Sequence, residues 1–265
     1  MPSGIKNKIS RIKIYECGYC NNHMNRVFID AKKEIRSFPA KTLLIEHSQY
    51  GKVLVDTGYG PYIMSYHYKA FLYRLINPTF YKRDNSIVKQ LRGDGIGVDD
   101  IQQIIVTHLH PDHIGNLRAL PHIPIIMSSK AYGNIGKYHL KEAVFKEHLP
   151  SDLSERTTTY ELNDQSPLKG FVGYDLWEDN SLWLIDLPGH ARGHMGIYLP
   201  EKHIFYITDA SWGVDLLDVN LKRIARKIQY NYHEYVTTIQ KIKTLINEDD
   251  TLQILTSHGQ EEVCL

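Results

Sequence analysis

Cysteine is scarce in this 265-residue chain: three in all, at Cys17, Cys20 and Cys264. An odd, sparse set excludes a disulfide scaffold and suits a reducing compartment. Charge of one sign is missing too. The 31 basic residues stand against 30 acidic ones, so no global field favours nucleic acid or an anionic partner. Nowhere do about 18 apolar residues run together, which excludes a spanning helix, and the opening "MPSGIKNKISRIKIYE" has no hydrophobic core region of the kind a secretory leader carries. The expectation is a soluble, cytoplasmic protein, and membrane contact is not expected. Pro- or Ser-rich linkers, internal repeats and low-complexity tracts are also lacking, so a single domain over 1–265 is expected. The glycines of "GDGIG" (93–97) form a turn and not a nucleotide loop, because no GxGxxG follows a strand.

What is present is a hydrophobic fraction of 42%, enough for a substantial core. Short β-branched runs at 51–60, 101–108, 123–129, 181–190, 195–200, 203–210 and 252–259 predict buried strands. Apolar residues recurring at three and four predict helices at 86–94, from Lys137 to Lys146, and over 224–246, the last as one long helix. Alternating strands and helices imply an α/β (α+β) protein with helices packed on sheets. A segment rich in Tyr and Phe, 62–84, reads as a helical insertion; the bland expectation is a helix packed on the core, the sharper one a lid or wall of an apolar pocket, and a third reading, for which one segment is weak evidence, is a basic aromatic helix lying on a membrane surface.

The densest chemistry lies in "IIVTHLHPDHIGNL" (104–117). His108 and His110, two apart on an extended segment, can point the same way. Asp112 and His113 follow where the chain turns helical, toward a second point a few ångströms off, a spacing that suits a pair of metals. Further ligands must come from elsewhere. His190 in "LPGHARGH", Asp209 in "FYITDASW" and His258 in "LQILTSHG" each end an apolar strand, where side chains of neighbouring strands collect at one sheet edge.

Taken in order, His-x-His-x-Asp-His, Pro-Gly-His, Thr-Asp-Ala-Ser and a strand-ending His, together with "VLVDTG" (53–58), resemble the metallo-β-lactamase superfamily, and within it the N-acyl homoserine lactone lactonases. The resemblance implies an αββα sandwich. It implies that His108, His110 and His190 hold one metal, Asp112, His113 and His258 the other, and that Asp209 bridges them. The cofactors expected are two divalent ions; zinc suits imidazole-rich sites, with manganese, iron and cobalt open on ligand type alone. A water shared by two ions loses a proton near neutral pH, so the reaction expected is attack of a bridging hydroxide on an ester-type carbonyl, with Asp112 as the catalytic proton shuttle. The substrate expected is a small molecule with an apolar portion, a lactone first and a thioester of the glyoxalase II kind next. A phosphodiesterase is disfavoured by the balanced charge, and a flavodiiron-type oxidoreductase by His110 where that group resembles His-x-Glu-x-Asp. A homodimer is compatible with the sequence.

Two departures bear on the substrate. Where the lactonases have a tyrosine three positions after the bridging aspartate, this chain has Trp212, a substrate-contact candidate that offers one N–H and no phenol. The last ligand stands in Ser-His-Gly and not Gly-His-Asp. Around the motif, Asp56 and His194 are expected to orient ligands. His23 lies in an opening segment that could border the cleft, and Cys17-x-x-Cys20 lacks the second pair a zinc site needs.

Overall fold

The computed structural model describes residues 7–135 and 142–261. The strands are β1 (Ile9–His23), β2 (Ile35–His47), β3 (Gly51–Val55), β4 (Thr79–Phe80), β5 (Ile101–Ile105), β6 (Ile125–Ser128) and β7 (Thr157–Tyr160), then β8 (Asp164–Gln165), β9 (Val172–Asp175), β10 (Trp183–Asp186), β11 (Met195–Leu199), β12 (Ile204–Tyr206) and β13 (Gln253–Leu255). They form two sheets, β4-β1-β2-β3-β5-β6-β7 and β13-β12-β11-β10-β9-β8. The first joins antiparallel β1, β2 and β3 to parallel β5, β6 and β7; the second is antiparallel except where β12 meets β13.

Period-two alternation explains why the sheets stack. Leu43, Ile45, Val53 and Val55 of the first sheet meet Leu184, Ile197, Ile204 and Tyr206 of the second in one buried cluster. The residues between them point the other way. Leu44, Leu54 and Ile104 pack outward under α3 (Ile87–Gly93), whereas Ile185, Tyr198 and Phe205 pack under α8 (Tyr232–Glu248). Helix, sheet, sheet, helix is the αββα sandwich expected. Among the described residues no helix is long and apolar enough to cross a membrane.

The structure differs from expectation in four places. Its two longest strands, β1 and β2, fall where no strand was anticipated. The helix expected over 224–246 is two, α7 (Arg223–Ile228) and α8, because Asn231 caps the second by accepting from the backbone of His233 and Glu234 (3.1 and 3.3 Å). Part of the helix expected from Lys137 to Lys146 lies outside the described residues, and its end is a turn of 3-10 helix at Lys146–His148. The aromatic segment does hold a helix, α2 (Tyr68–Ile76), but only Ala70 of it is fully buried, and Phe71, Leu75 and Ile76 are exposed. It is therefore not a core-packed helix.

Just below α2, His148 is almost wholly buried against the rings of Tyr62 and Phe145. Burial pushes its imidazole down to about 4. The unfolded chain, with an ordinary value near 6.5, binds the extra proton first, so stability is complete above about pH 6.5 and falls as pH drops toward 4. The gap corresponds to about 3 kcal/mol. Urea unfolding at pH 7 and pH 4.5 is expected to show about 2.5 kcal/mol more acid loss in the wild type than in His148→Phe, since pH 4.5 still lies above the folded value; equal loss in both would refute it.

Candidate metal centre

One short helix and the segments that follow four strands, β5 of the first sheet and β10, β12 and β13 of the second, carry the site. The segment after β5 brings His108 and His110, and α4 (Pro111–Ile114) brings Asp112 and His113, with Pro111 at its first turn. The loop after β10 supplies His190, the turn after β12 Asp209, and the loop after β13 His258. All seven residues named from sequence are thus brought to one place. They fall into two clusters, His108, His110, His190 and Asp209, and Asp112, His113, Asp209 and His258, the ligating atoms of each within 4.8 Å of one another. Asp209 belongs to both.

Backbone contacts set α4 against the β3 exit. Gly115 donates its N–H to Gly58 O at 2.9 Å, and Thr57 N and Oγ1 both donate to His113 O, at 2.7 and 2.9 Å. Asn116 Nδ2 donates to the carbonyls of Thr57 and Tyr59 at 2.7 and 2.6 Å. A Cβ at Gly60 would sit 1.8 Å from Gly115 O, so both glycines are required for the backbones to meet. Asp56 adopts φ +62, a left-handed conformation that Asp tolerates better than most, and so aims its carboxylate back at the motif.

Hydrogen bonds decide which ring nitrogens face inward. His258 Nδ1 donates to Pro39 O at 2.6 Å, His190 Nδ1 to Gln229 Oε1 at 3.0 Å and His113 Nδ1 to Asp56 Oδ2 at 2.7 Å. Thr107 Oγ1 gives its proton to Asp56 Oδ2 (2.7 Å), so His108 Nδ1 donates to Thr107 Oγ1 (3.2 Å). In its neutral form each of these four rings turns a lone pair on Nε2 toward the centre. His110 Nδ1 lies 3.0 Å from both His108 Nε2 and His190 Nε2. Such spacing resembles the roughly 3.3 Å between two imidazole nitrogens on one tetrahedral ion with bonds of 2.0–2.1 Å. Buried His113 Nε2 and Asp209 Oδ1 lack a hydrogen-bond partner. Converging lone pairs and orphaned acceptors are what a cation would satisfy, so the donor set fits divalent metal ions.

Electrostatics agree. Burial, then the neighbouring imidazoles of His113 and His110, holds His108 well below the ordinary histidine range; burial and His190 do the same to His110. For His113 and His258 burial, the largest single influence, also opposes charge, but the surrounding carboxylates together outweigh it, Asp209 with Asp56 and Asp112 at His113 and Asp209 with Asp112 at His258, and both are raised. Asp209, despite burial, is held well below the usual carboxylate range by His258 and His113. A divalent ion bound there replaces those protons as the counter-charge.

Asp56 and His194 lie where ligand-orienting residues were expected. Asp56 also accepts from Thr107 N at 2.9 Å. His194 donates from Nδ1 to Leu187 O (2.8 Å) and accepts at Nε2 from Thr208 Oγ1 (2.5 Å), fixing the residue before Asp209. Trp212 packs edge-on to Phe28 and Phe38, centroids 5.9 and 6.4 Å away, in a cluster with Met24 and Tyr235. Cys17 and Cys20 are buried thiols, each pushed up to about 12 by burial, and join neither cluster. Cys264 lies outside the described residues. Sequence reasoning missed Thr107, Asn116, Gln229 and the Pro39 carbonyl. Only the polar Thr107, adjoining the motif at the end of an apolar run, left a readable signal.

Two stacked mixed sheets with paired His/Asp clusters at one edge define the metallo-hydrolase class of fold. The chain belongs to the metallo-beta-lactamase superfamily, whose model matches residues 36–247. It is 25% identical over 187 residues to a "Probable metallo-hydrolase" of Mycobacterium tuberculosis, a match covering 66% of this chain and 58% of that protein. It is 23% identical over 195 residues to the N-acyl homoserine lactonase AttM of Azorhizobium caulinodans, covering 68% and 66%. The chain thus spans about three fifths of the mycobacterial protein's length and two thirds of the lactonase's. Among solved structures, a point mutant of AiiA of B. thuringiensis with N-decanoyl-L-homoserine bound at the active site superposes with a TM-score of 0.72 at 20% identity, over 96% of this chain and 94% of that one. The dizinc quorum-quenching lactonase AidC superposes with a TM-score of 0.65 at 16% identity, over 94% and 87%.

Proposed function

We propose that this protein is a dinuclear metal-dependent hydrolase of ester-type carbonyls, with an acyl lactone as its first substrate class. The observation that carries the reading is the pair of clusters sharing Asp209, with imidazole lone pairs converging in each. Two divalent ions there, zinc by the chemistry of the donors, would supply Lewis acidity and a water acidic enough to be deprotonated near neutral pH. His108, His110 and His190 would hold one, Asp112, His113 and His258 the other, and Asp209 both.

The remaining work falls to the chain. Asp112, its Oδ2 3.4 Å from His258 Nε2, sits at the cluster edge, where its carboxylate takes the proton released as water attacks the carbonyl carbon. As the ring C–O bond breaks, the same carboxyl returns that proton to the leaving alkoxide, giving a hydroxy acid. Thr107 and Asp56 keep the His113 ring from rotating, and Gln229 does so for His190. Leu109, Val144, Ala191 and Ile228 line a cleft beside His110 and His190, shared with the polar side chains of Asn134, Glu142 and Arg192, and would meet the apolar part of the substrate. Trp212, in place of a phenol, offers an indole edge and no second acidic donor.

The test is a panel of acyl lactones, thioesters and phosphodiesters assayed during metal titration of the chelated protein. Lactone turnover is expected to rise with metal until about two ions are bound per chain, and to exceed the chelated protein's at least about a hundred-fold. Full activity in metal-free protein would refute the mechanism, and thioester turnover alone would change the substrate class.

A further inference from the structure

We propose that the rim formed by α1 (Met24–Val27) and α7 docks on an anionic lipid surface. A surface groove there is lined by Arg26, Ile29, Lys222, Arg223, Ile224 and Arg226. Ile224 is 74% exposed. The inward residue Ala225 is buried in the cluster beneath. Short as it is, α7 is thus apolar on two sides, with the outer side fenced by cations, the pattern of a helix lying in a headgroup layer.

Charge selects the occupant. Among the described residues Arg26, Lys222 and Arg223 have no carboxylate partner, and Arg226 only donates to Leu221 O at 2.6 Å and stacks over Tyr232. Four cations without counter-charge on a chain of net charge +1 make a local surplus that complements anionic headgroups. A second copy related by a two-fold axis would set these cations against themselves, which disfavours a dimer through this rim.

The rim continues around the molecule. Phe28 pairs with Leu221, and Lys222 N donates to Val27 O at 2.8 Å, fastening α1 to α7. On the other side Asn22 Nδ2 donates to Asn77 Oδ1 at 2.8 Å, at the end of α2. There Leu75 and Ile76 are 62% and 68% exposed, and Tyr19 stacks on Phe80.

Flotation of the full chain with vesicles tests the proposal, and its readout does not depend on hydrolysis. Binding to phosphatidylcholine vesicles containing phosphatidylglycerol, absence of binding to phosphatidylcholine alone, and release at about 1 M salt are expected. Lys222→Gln and Arg223→Gln should each lower partitioning about five-fold, the factor implied by about 1 kcal/mol per surface cation. Ile224→Glu should abolish it with unchanged circular dichroism and metal content. No binding to anionic vesicles, or binding unaltered by all three substitutions, would overturn the proposal. So would self-association that Ile224→Glu disrupts while vesicles are ignored, or a preference for an acidic peptide over the bilayer.

Discussion

Asp209→Ala is expected to drop the metal content from about two ions per chain to one or fewer, and lactone turnover by at least about a hundred-fold. The size follows from the residue's position. Its Oδ1 lies 3.2 Å from His113 Nε2, and its Oδ2 lies 3.3 Å from His190 Nε2 and 3.0 Å from His258 Nε2. Removal of a residue that only supports a ligand costs about 10–100-fold in affinity or activity. A carboxylate that belongs to both clusters should cost more than that. It is also the anion that holds His113 and His258 in place before metal arrives. Elemental analysis and steady-state kinetics on the same preparation give the answer. Two ions per chain and unaltered turnover would mean that the bridge lies elsewhere.

The second large effect is expected at Asp56→Asn. The amide keeps the shape and tolerates the left-handed backbone. It cannot, however, accept from Thr107 N, Thr107 Oγ1 and His113 Nδ1 together, because its NH2 meets donors on one side. One buried donor is left unmade, at a cost of about 1–3 kcal/mol. The His113 ring then loses its fixed orientation, and affinity for the ion on that side should weaken about 10–100-fold. Competition with a chromophoric chelator measures this directly. Affinity within two-fold of wild type would show that Asp56 supports the fold and not the ligand.

The candidate constellation, as a set of residues brought together, was legible because each member either sits in one short motif or terminates an apolar strand, features that need no knowledge of the fold. Strands β1 and β2 were not. β2 carries Pro39, which cannot donate to a ladder, and Lys41, whose buried ammonium is held by Glu261 O at 3.0 Å. Pro39 pairs with Tyr19 at a register shift, where a missing donor is tolerated, and its carbonyl fixes His258. The break between α7 and α8 was equally hidden, since the apolar period continues through it. Tertiary contacts make it: Tyr230 and Asn231 donate to the carbonyls of His190 and Gly189 at 3.0 and 2.9 Å. Without that break Gln229 would not reach His190.

The division of the clusters between the sheets has a kinetic consequence. In each, two residues come from the first sheet's loops, His108 and His110 or Asp112 and His113, and two from the second's, His190 and Asp209 or Asp209 and His258. Any ion seated in either cluster is a rivet through both halves of the sandwich. Prying the sheets apart then requires breaking coordination bonds before the aliphatic layer between them can admit water. Metal loading should therefore act chiefly on the lifetime of the native state, slowing unfolding far more than it speeds refolding.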